Sequence, residues 1–376
     1  MRSHCLRLFA LLALSLCAFA SPGDDALTLN RKVLDACFTQ KWDEALTLLA
    51  QLDRLQPEYN GTAYNYACVY ARKGEPDKAF EWLGRSIEWG WGGARGSVAT
   101  PSLQATQSIW HAAMLETDAD LESLRKDERF AKIVERAKAL QKRAEEYTAE
   151  PALYVPEKLK DAAELPVLIV LHEAGGDKAS TLAAWKPIAD ELVCALAVPA
   201  APFSRGEDPA RGWAWIDDPS NFAQPGRTKD YQQPVNAALD ALRKTKKLAA
   251  NRVWLAGAGQ GATLALLTAL HNATLVRGAA VLDPDVDLQQ TGYKVPGAKA
   301  AGLRLEARFD PTYWKARGGA DATQAIVAGW AFPGSCSALA EVKDAAARRA
   351  ALAAAVRALA QAADDAGNAT PAVAPK

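Results

Sequence analysis

The segment that most restricts the fold is residues 165–171, LPVLIVL, an almost unbroken apolar run that stops at His172-Glu173-Ala174-Gly175-Gly176. A strand with one wet face alternates apolar and polar side chains. A continuous apolar run is a strand covered on both faces, the situation of a parallel sheet with helices on either side. The chain that follows repeats the theme. A helical pattern covers residues 179–192, a strand 193–198 and a helix 231–246. A strand at 252–256 then runs into Gly257-Ala258-Gly259-Gln260-Gly261 and an apolar helix over 262–270. Strands are expected again at 276–282, 303–307 and 326–332, and an Ala-rich helix over 339–363 closes the series. This alternation predicts the α/β class: a doubly wound, mostly parallel sheet.

The first third of the chain follows another rule. Ala45 and Ala79 are 34 residues apart, as are Leu49 and Leu83. A 34-residue period marks a helix–turn–helix unit that buries its apolar face only by stacking on its neighbours. Trp42-Asp43-Glu44-Ala45-Leu46 and Pro76-Asp77-Lys78-Ala79-Phe80, with Pro57, Tyr66, Ala67, Tyr70 and Gly74, resemble the tetratricopeptide repeat over residues 26–92. A divergent unit is expected around 118–143, after a Gly-rich break at 90–96. The resemblance implies a peptide or protein partner. A plain helical bundle with its aromatics in the core is the other reading, and both require the same helices.

Pro151 and Pro156 interrupt the helical pattern. The expected organisation is a signal peptide over 1–20, an all-α domain over 26–147, a linker over 148–163, an α/β domain over 164–363 and a flexible tail over 364–376.

Residues 1–20 combine Arg2 and Arg7, an apolar run over 8–20, and Ala18-Phe19-Ala20 before Ser21. That is the pattern of a cleaved secretory signal and implies export, to a periplasm or beyond the cell. The run falls short of the ~20 residues that span a bilayer, and no later one reaches that length, so no membrane partner is expected after cleavage. Basic and acidic residues number 44 each; with no basic excess to neutralise phosphates, nucleic acid is not an expected partner. Export permits disulfides among Cys37, Cys68, Cys194 and Cys336. Cys37 with Cys68 is the candidate pair, and buried thiols are the alternative.

The strand ending at His172, followed 87 residues later by a strand-to-helix elbow centred on Gly259, resembles the α/β-hydrolase family, specifically the small esterases of the phospholipase/carboxylesterase type, over residues 164–363. The resemblance implies oxyanion donors at Ala174 and at Gln260, the residue after the elbow's apex. It also implies an acid at Asp310, 51 residues past the apex, and a base after the last strand. The chain departs from the family at the chemistry. Gly259 occupies the apex where Gly-x-Ser-x-Gly carries its serine, and without a hydroxyl nothing attacks a carbonyl. No histidine follows His271, and the stretch expected to carry the base reads Phe332-Pro333-Gly334-Ser335-Cys336-Ser337. His271 lies 12 residues along the elbow helix, about 18 Å from the apex at 1.5 Å per residue.

The expectation is therefore a non-catalytic pseudohydrolase with degenerate positions Gly259, Asp310 and Cys336, no cofactor and no metal. A residual pocket at Ala174 and Gln260 is left for a small carbonyl or anionic ligand. Its expected rim is His172, Glu173, Trp213 and Trp215, with core packing as the other reading of the two tryptophans. Two alternatives stay open. One is an atypical hydrolase using Cys336, or a water held by Asp310. The other is a dinucleotide-binding protein, since Gly257-x-Gly259-x-x-Ala262 fits a phosphate-binding turn and Asp283 falls near where a ribose-binding acid would stand.

Overall fold

The computed structural model describes residues 26–90, 112–216, 231–284, 303–309, 334–338 and 344–368. The signal segment and Asp310 lie outside them. The chain forms two compact units, Met1–Thr148 with Pro202–Arg227, and Ala149–Ala201 with Thr228–Lys376.

The first unit begins with α1 (Ala26–Phe38), α2 (Trp42–Leu55), α3 (Asn60–Lys73) and α4 (Pro76–Gly90). Their starts recur at an interval of 34 residues, Ala26 to Asn60 and Trp42 to Pro76. The small residues of the repeat sit where helices touch. Ala45 and Leu49 of α2 pack with Val33, Tyr66 and Val69. Ala67 and Ala71 of α3 pack with Ala79 and Leu83 of α4 in a second cluster. That cluster extends to Phe130, Ile133 and Ala137 of α6 (Glu128–Thr148), which follows α5 (Ala112–Thr117) and a 3-10 turn over Ala119–Leu124. Cys37, Cys68 and Cys194 are free thiols; of the two readings of Cys37 and Cys68, a bridge or separate thiols, the structure has separate thiols. Burial pushes the Cys37 thiol up to about 12 and raises that of Cys68.

The segment after Ala201 corrects the expected boundary. Phe203–Ser204 and Trp213–Ala214 pair as a short antiparallel hairpin that belongs to the helical unit. Glu207 accepts from Arg136 at 2.8 and 2.6 Å, and the Glu207 carbonyl accepts from Arg143 at 2.9 Å. Trp213 stacks on Tyr147 with ring centroids 3.8 Å apart. Glu207 and Trp213 thus find their charge and ring partners on α6, while Arg211 pairs with Glu58 at 2.8 Å, and Trp213 is packing rather than pocket rim. Trp215 is fully buried, which also removes it from an open rim.

The second unit is built on a seven-stranded sheet: β1 (Ala152–Tyr154), β2 (Glu164–Leu171), β3 (Ala195–Val198), β4 (Lys247–Ala258), β5 (Gly278–Leu282), β6 (Arg304–Phe309) and β7 (Gly334–Ala338), in spatial order β1-β3-β2-β4-β5-β6-β7. Every pairing is parallel except β1 with β3. Among the described residues four helices accompany it: α7 (Lys178–Leu192), α8 (Gln233–Arg243), α9 (Gln260–His271) and α10 (Ala345–Asn368). Strand side chains alternate between faces. Leu168, Val170, Trp254, Ala256 and Ala280 pack against Trp185 of α7 and Leu352, Val356 and Leu359 of α10. The helix α9 packs on β2, β4 and β5. The α/β class is as the apolar runs required.

Three boundaries differ from expectation. Residues 148–163 are no plain linker, because 152–154 form β1 and close the β3 edge. The expected strand at 326–332 lies outside the described residues, and the last strand is 334–338. The helix α10 continues through Asn368, so the expected tail starts inside it. Among the described residues no helix is long and apolar enough to cross a membrane.

Candidate functional site: a closed elbow

From β2 the chain crosses to β3 on one side, whereas β4 leads to β5 on the other. Crossovers that diverge in this way leave a crevice at the carboxyl ends of the two central strands. The ends are level: Leu171 pairs with Gly257, and Ala258 with Leu282. The loop starting at His172 and the elbow at Gly259 therefore meet at this crevice.

Gly259 joins β4 to α9 with φ +55° and ψ −125°, a conformation that side chains adopt only under strain. Its N–H donates to Leu282 O at 2.9 Å. The flanking glycines have a steric reason. A Cβ on Gly261 would lie 2.4 Å from His172 O and 2.5 Å from Leu171 O, and one on Gly257 would lie 2.3 Å from Gly261 O. Only hydrogen at these two positions lets α9 start so close to the end of β2. The strand-to-helix turn is tight, and Gly259 at its apex carries no side chain.

Glu173 stands beside the apex. A Cβ on Gly259 would meet Glu173 Cγ at 3.5 Å and Oε1 at 3.6 Å. Glu173 pairs with Arg348 of α10, which also donates to Asp283 at 2.8 Å. Asp283, just past β5, is 0% exposed. Burial opposes the charge on Arg348, but Glu173 and Asp283 outweigh it and hold the guanidinium above its ordinary value. Two carboxylates bracket one guanidinium. Glu173 also places a carboxylate beside the amino end of α9, where the helix field favours an anion. An incoming anion would have to displace a carboxylate already there.

The other expected residues fall as follows. Gln260 opens α9, and Ala174 is exposed in the turn closed by Gly176 N–H donating to Glu173 O at 2.9 Å. His172 is buried, its Nδ1–H donates to Glu173 O at 2.7 Å, and burial pushes its pKa down to about 4. It is a neutral, structural ring. His271 closes the far end of α9, its Nδ1 2.7 Å from Gln232 Nε2.

Cys336 belongs to β7, paired with Ala307, and not to a loop. The stretch between β7 and α10, Leu339-Ala340-Glu341-Val342-Lys343-Asp344, contains no histidine. Asp283 is corrected too: buried and bonded to Arg348, it is not presented to a ribose. Among the described residues no group of three or more metal-ligating side chains comes together. Sequence reasoning missed Arg348, which lies in an Ala-rich helix 175 positions from Glu173 and carries no local signal of its partners.

No protein-family model and no curated protein sequence matches the chain. Solved structures do resemble it in part. An S-formylglutathione hydrolase from Agrobacterium tumefaciens is 16% identical, covers 57% of this chain and 91% of its own, and has a TM-score of 0.40. The Bacillus cereus carboxylesterase is 17% identical over 57% and 93% of the two chains, with a TM-score of 0.38. The Staphylococcus aureus fluorophosphonate-binding serine hydrolase F is 14% identical over 55% and 91%, at 0.37. The second unit is a mostly parallel sheet with flanking helices, with a tight strand-to-helix turn at Gly259.

Proposed function

We propose that the chain is an exported, non-catalytic protein of α/β-hydrolase layout, whose tetratricopeptide-like helical unit binds a peptide or protein partner. The observation that carries the non-catalytic part is a bare apex with a carboxylate beside it. Gly259 has no side chain, and Glu173, tied through Arg348 to Asp283, stands next to it. A hydrolase needs a nucleophile, a base to activate it and a donor pair for the oxyanion. The first is absent from the apex, and no histidine follows the last strand to serve as the second. The recurrence of helix starts at 34 residues supports the repeat reading of the first unit.

The test is turnover of p-nitrophenyl acetate, butyrate and octanoate by the purified mature chain and by Gly259→Ser. The expected rate is background for both, because a serine placed there would face a carboxylate paired to arginine and no base. Turnover by the parent chain above a heat-denatured control overturns the non-catalytic reading, and turnover by Gly259→Ser alone shows that a base is present.

A further inference from the structure

The face of α6 that carries Arg136, Arg143 and Tyr147 holds the hairpin of residues 203–214 in the way a binding site holds a peptide. Arg136 grips Glu207 through two bonds, at 2.8 and 2.6 Å, the paired geometry of a guanidinium on a carboxylate. Arg143 reads the backbone, donating to the carbonyls of Gly206 and Glu207 and to the Ser204 hydroxyl. Tyr147 takes Trp213 face to face at 3.8 Å, and the Arg143 guanidinium lies 5.7 Å from the same ring. The Glu207 N–H donates to Glu88 O at 3.2 Å. That carbonyl is in the last turn of α4, where no intrahelical donor remains. Gly206 is required by this fit, since a Cβ on it would lie 2.0 Å from the same oxygen.

The charged part of this contact is open to solvent: the side chains of Arg136 and Glu207 are 38% and 35% exposed. The hairpin itself is a ribbon of two residues on each side, Phe203–Ser204 against Trp213–Ala214. A pair that short does not hold together alone in water, so its shape comes from the face beneath it. In sequence it stands between β3 and α8. Tethered at both ends, it stays at a concentration on the order of millimolar near the face even when it lets go.

We propose that this hairpin is an autoinhibitory occupant of the helical unit's peptide-binding face. The partner displaces it by presenting the same chemistry, a Gly-Glu pair with an aromatic residue six positions beyond the Glu, as Trp213 stands to Glu207. The proposal rests on the partner-binding half of the function above, and it says where that partner binds and what holds it off.

The experiment is fluorescence anisotropy of the labelled peptide Phe-Ser-Arg-Gly-Glu-Asp-Pro-Ala-Arg-Gly-Trp-Ala, the sequence of residues 203–214, titrated with the full mature chain. Gly206→Ala in the chain drives the hairpin off Glu88 O and leaves α4 and α6 unaltered. That variant should bind the peptide about tenfold or more tightly than the parent chain, whose own hairpin competes in cis. Glu207→Arg, which sets a cation against Arg136 and Arg143, should do the same and keeps the test standing if the first variant loses its helical circular dichroism. Arg143→Leu added to either should abolish binding. A peptide carrying Gly206→Ala should bind none of these chains.

Equal binding by the parent and the opened variants overturns the autoinhibition and leaves the face as a free partner site. No binding by either opened variant, with helical circular dichroism retained, overturns this face as a peptide site. A Gly206→Ala peptide that binds as tightly as the parent peptide overturns the proposal too, because the fit on Glu88 O would not be what is recognised. Ester turnover on the same preparation removes the non-catalytic reading whatever the peptides do, which keeps the two readings apart.

Discussion

At the scale of single residues, the elbow shows which parts of a motif are steric and which are chemical. Gly257 and Gly261 answer to carbonyl oxygens 2.3–2.5 Å from any added Cβ, and those contacts exist whether or not the apex reacts. Gly261→Ala should therefore destabilise the second unit by about 2 kcal/mol or more, because backbone on both sides has to move; urea unfolding measures it. Arg348 makes the sharper prediction. Arg348→Leu removes the guanidinium shared by Glu173 and by Asp283, whose site is 0% exposed, and breaking one side of a buried ion pair costs about 3–5 kcal/mol. Arg348→Leu with Asp283→Asn should recover much of that loss, and with Glu173→Gln much less, since Glu173 reaches solvent. The bare apex was legible because Gly-x-Gly-x-Gly is written contiguously. Its closure was not, because Glu173, Asp283 and Arg348 lie 175 and 65 positions apart and nothing local in an Ala-rich helix marks one arginine as buried.

At the scale of elements, what the sequence announced was what carries a period. The apolar run of β2, the run into the elbow and the apolar helix α9 each owe their structure to burial that their own composition encodes. The elements that went unread draw their stability from a partner strand. The three residues of β1 stand between Pro151 and Pro156, too few to show alternation, and form because the β3 edge offers unpaired backbone groups. Gly334–Ala338 has no large apolar residue and is a strand by pairing with β6. The hairpin at Phe203–Ser204 and Trp213–Ala214 was assigned to the wrong unit for a related reason: chain continuity suggested the sheet, while Glu207 and Trp213 find Arg136, Arg143 and Tyr147 on α6. Trp213→Ala should then cost about 3 kcal/mol. The loss should appear in hydrogen exchange as reduced protection in α6 and leave β4 unchanged, whereas Trp213→Phe, which keeps the stack on Tyr147, should lose less than half as much.

At the scale of the whole molecule, the two units carry buried titrating groups of opposite sign. His172 in the sheet unit has its pKa pushed down from 6.5 to about 4 by burial. The unfolded chain takes up a proton there before the folded one does, so its contribution is complete above pH 6.5 and is lost as pH falls from 6.5 to 4. At 1.36 kcal/mol per pKa unit the loss is about 3 kcal/mol. Asp120 in the helical unit runs the other way. Its carboxyl is pushed up from 3.8 to about 6 by burial and by Asp118. The folded state therefore holds a proton that the unfolded state has released, and the helical unit is favoured as pH falls from 6 to 4, by about 2 kcal/mol after allowance for partial exposure. Acidification from pH 7 to 5 should weaken the sheet unit and strengthen the helical one in the same molecule. Hydrogen exchange read separately on α3 and on β4 measures both: protection should rise in the first and fall in the second. Asp120→Asn should flatten the α3 response and leave that of β4 alone. A fall in α3 protection on acidification, or an α3 response unchanged by Asp120→Asn, would show that Asp120 does not set the pH dependence of the helical unit.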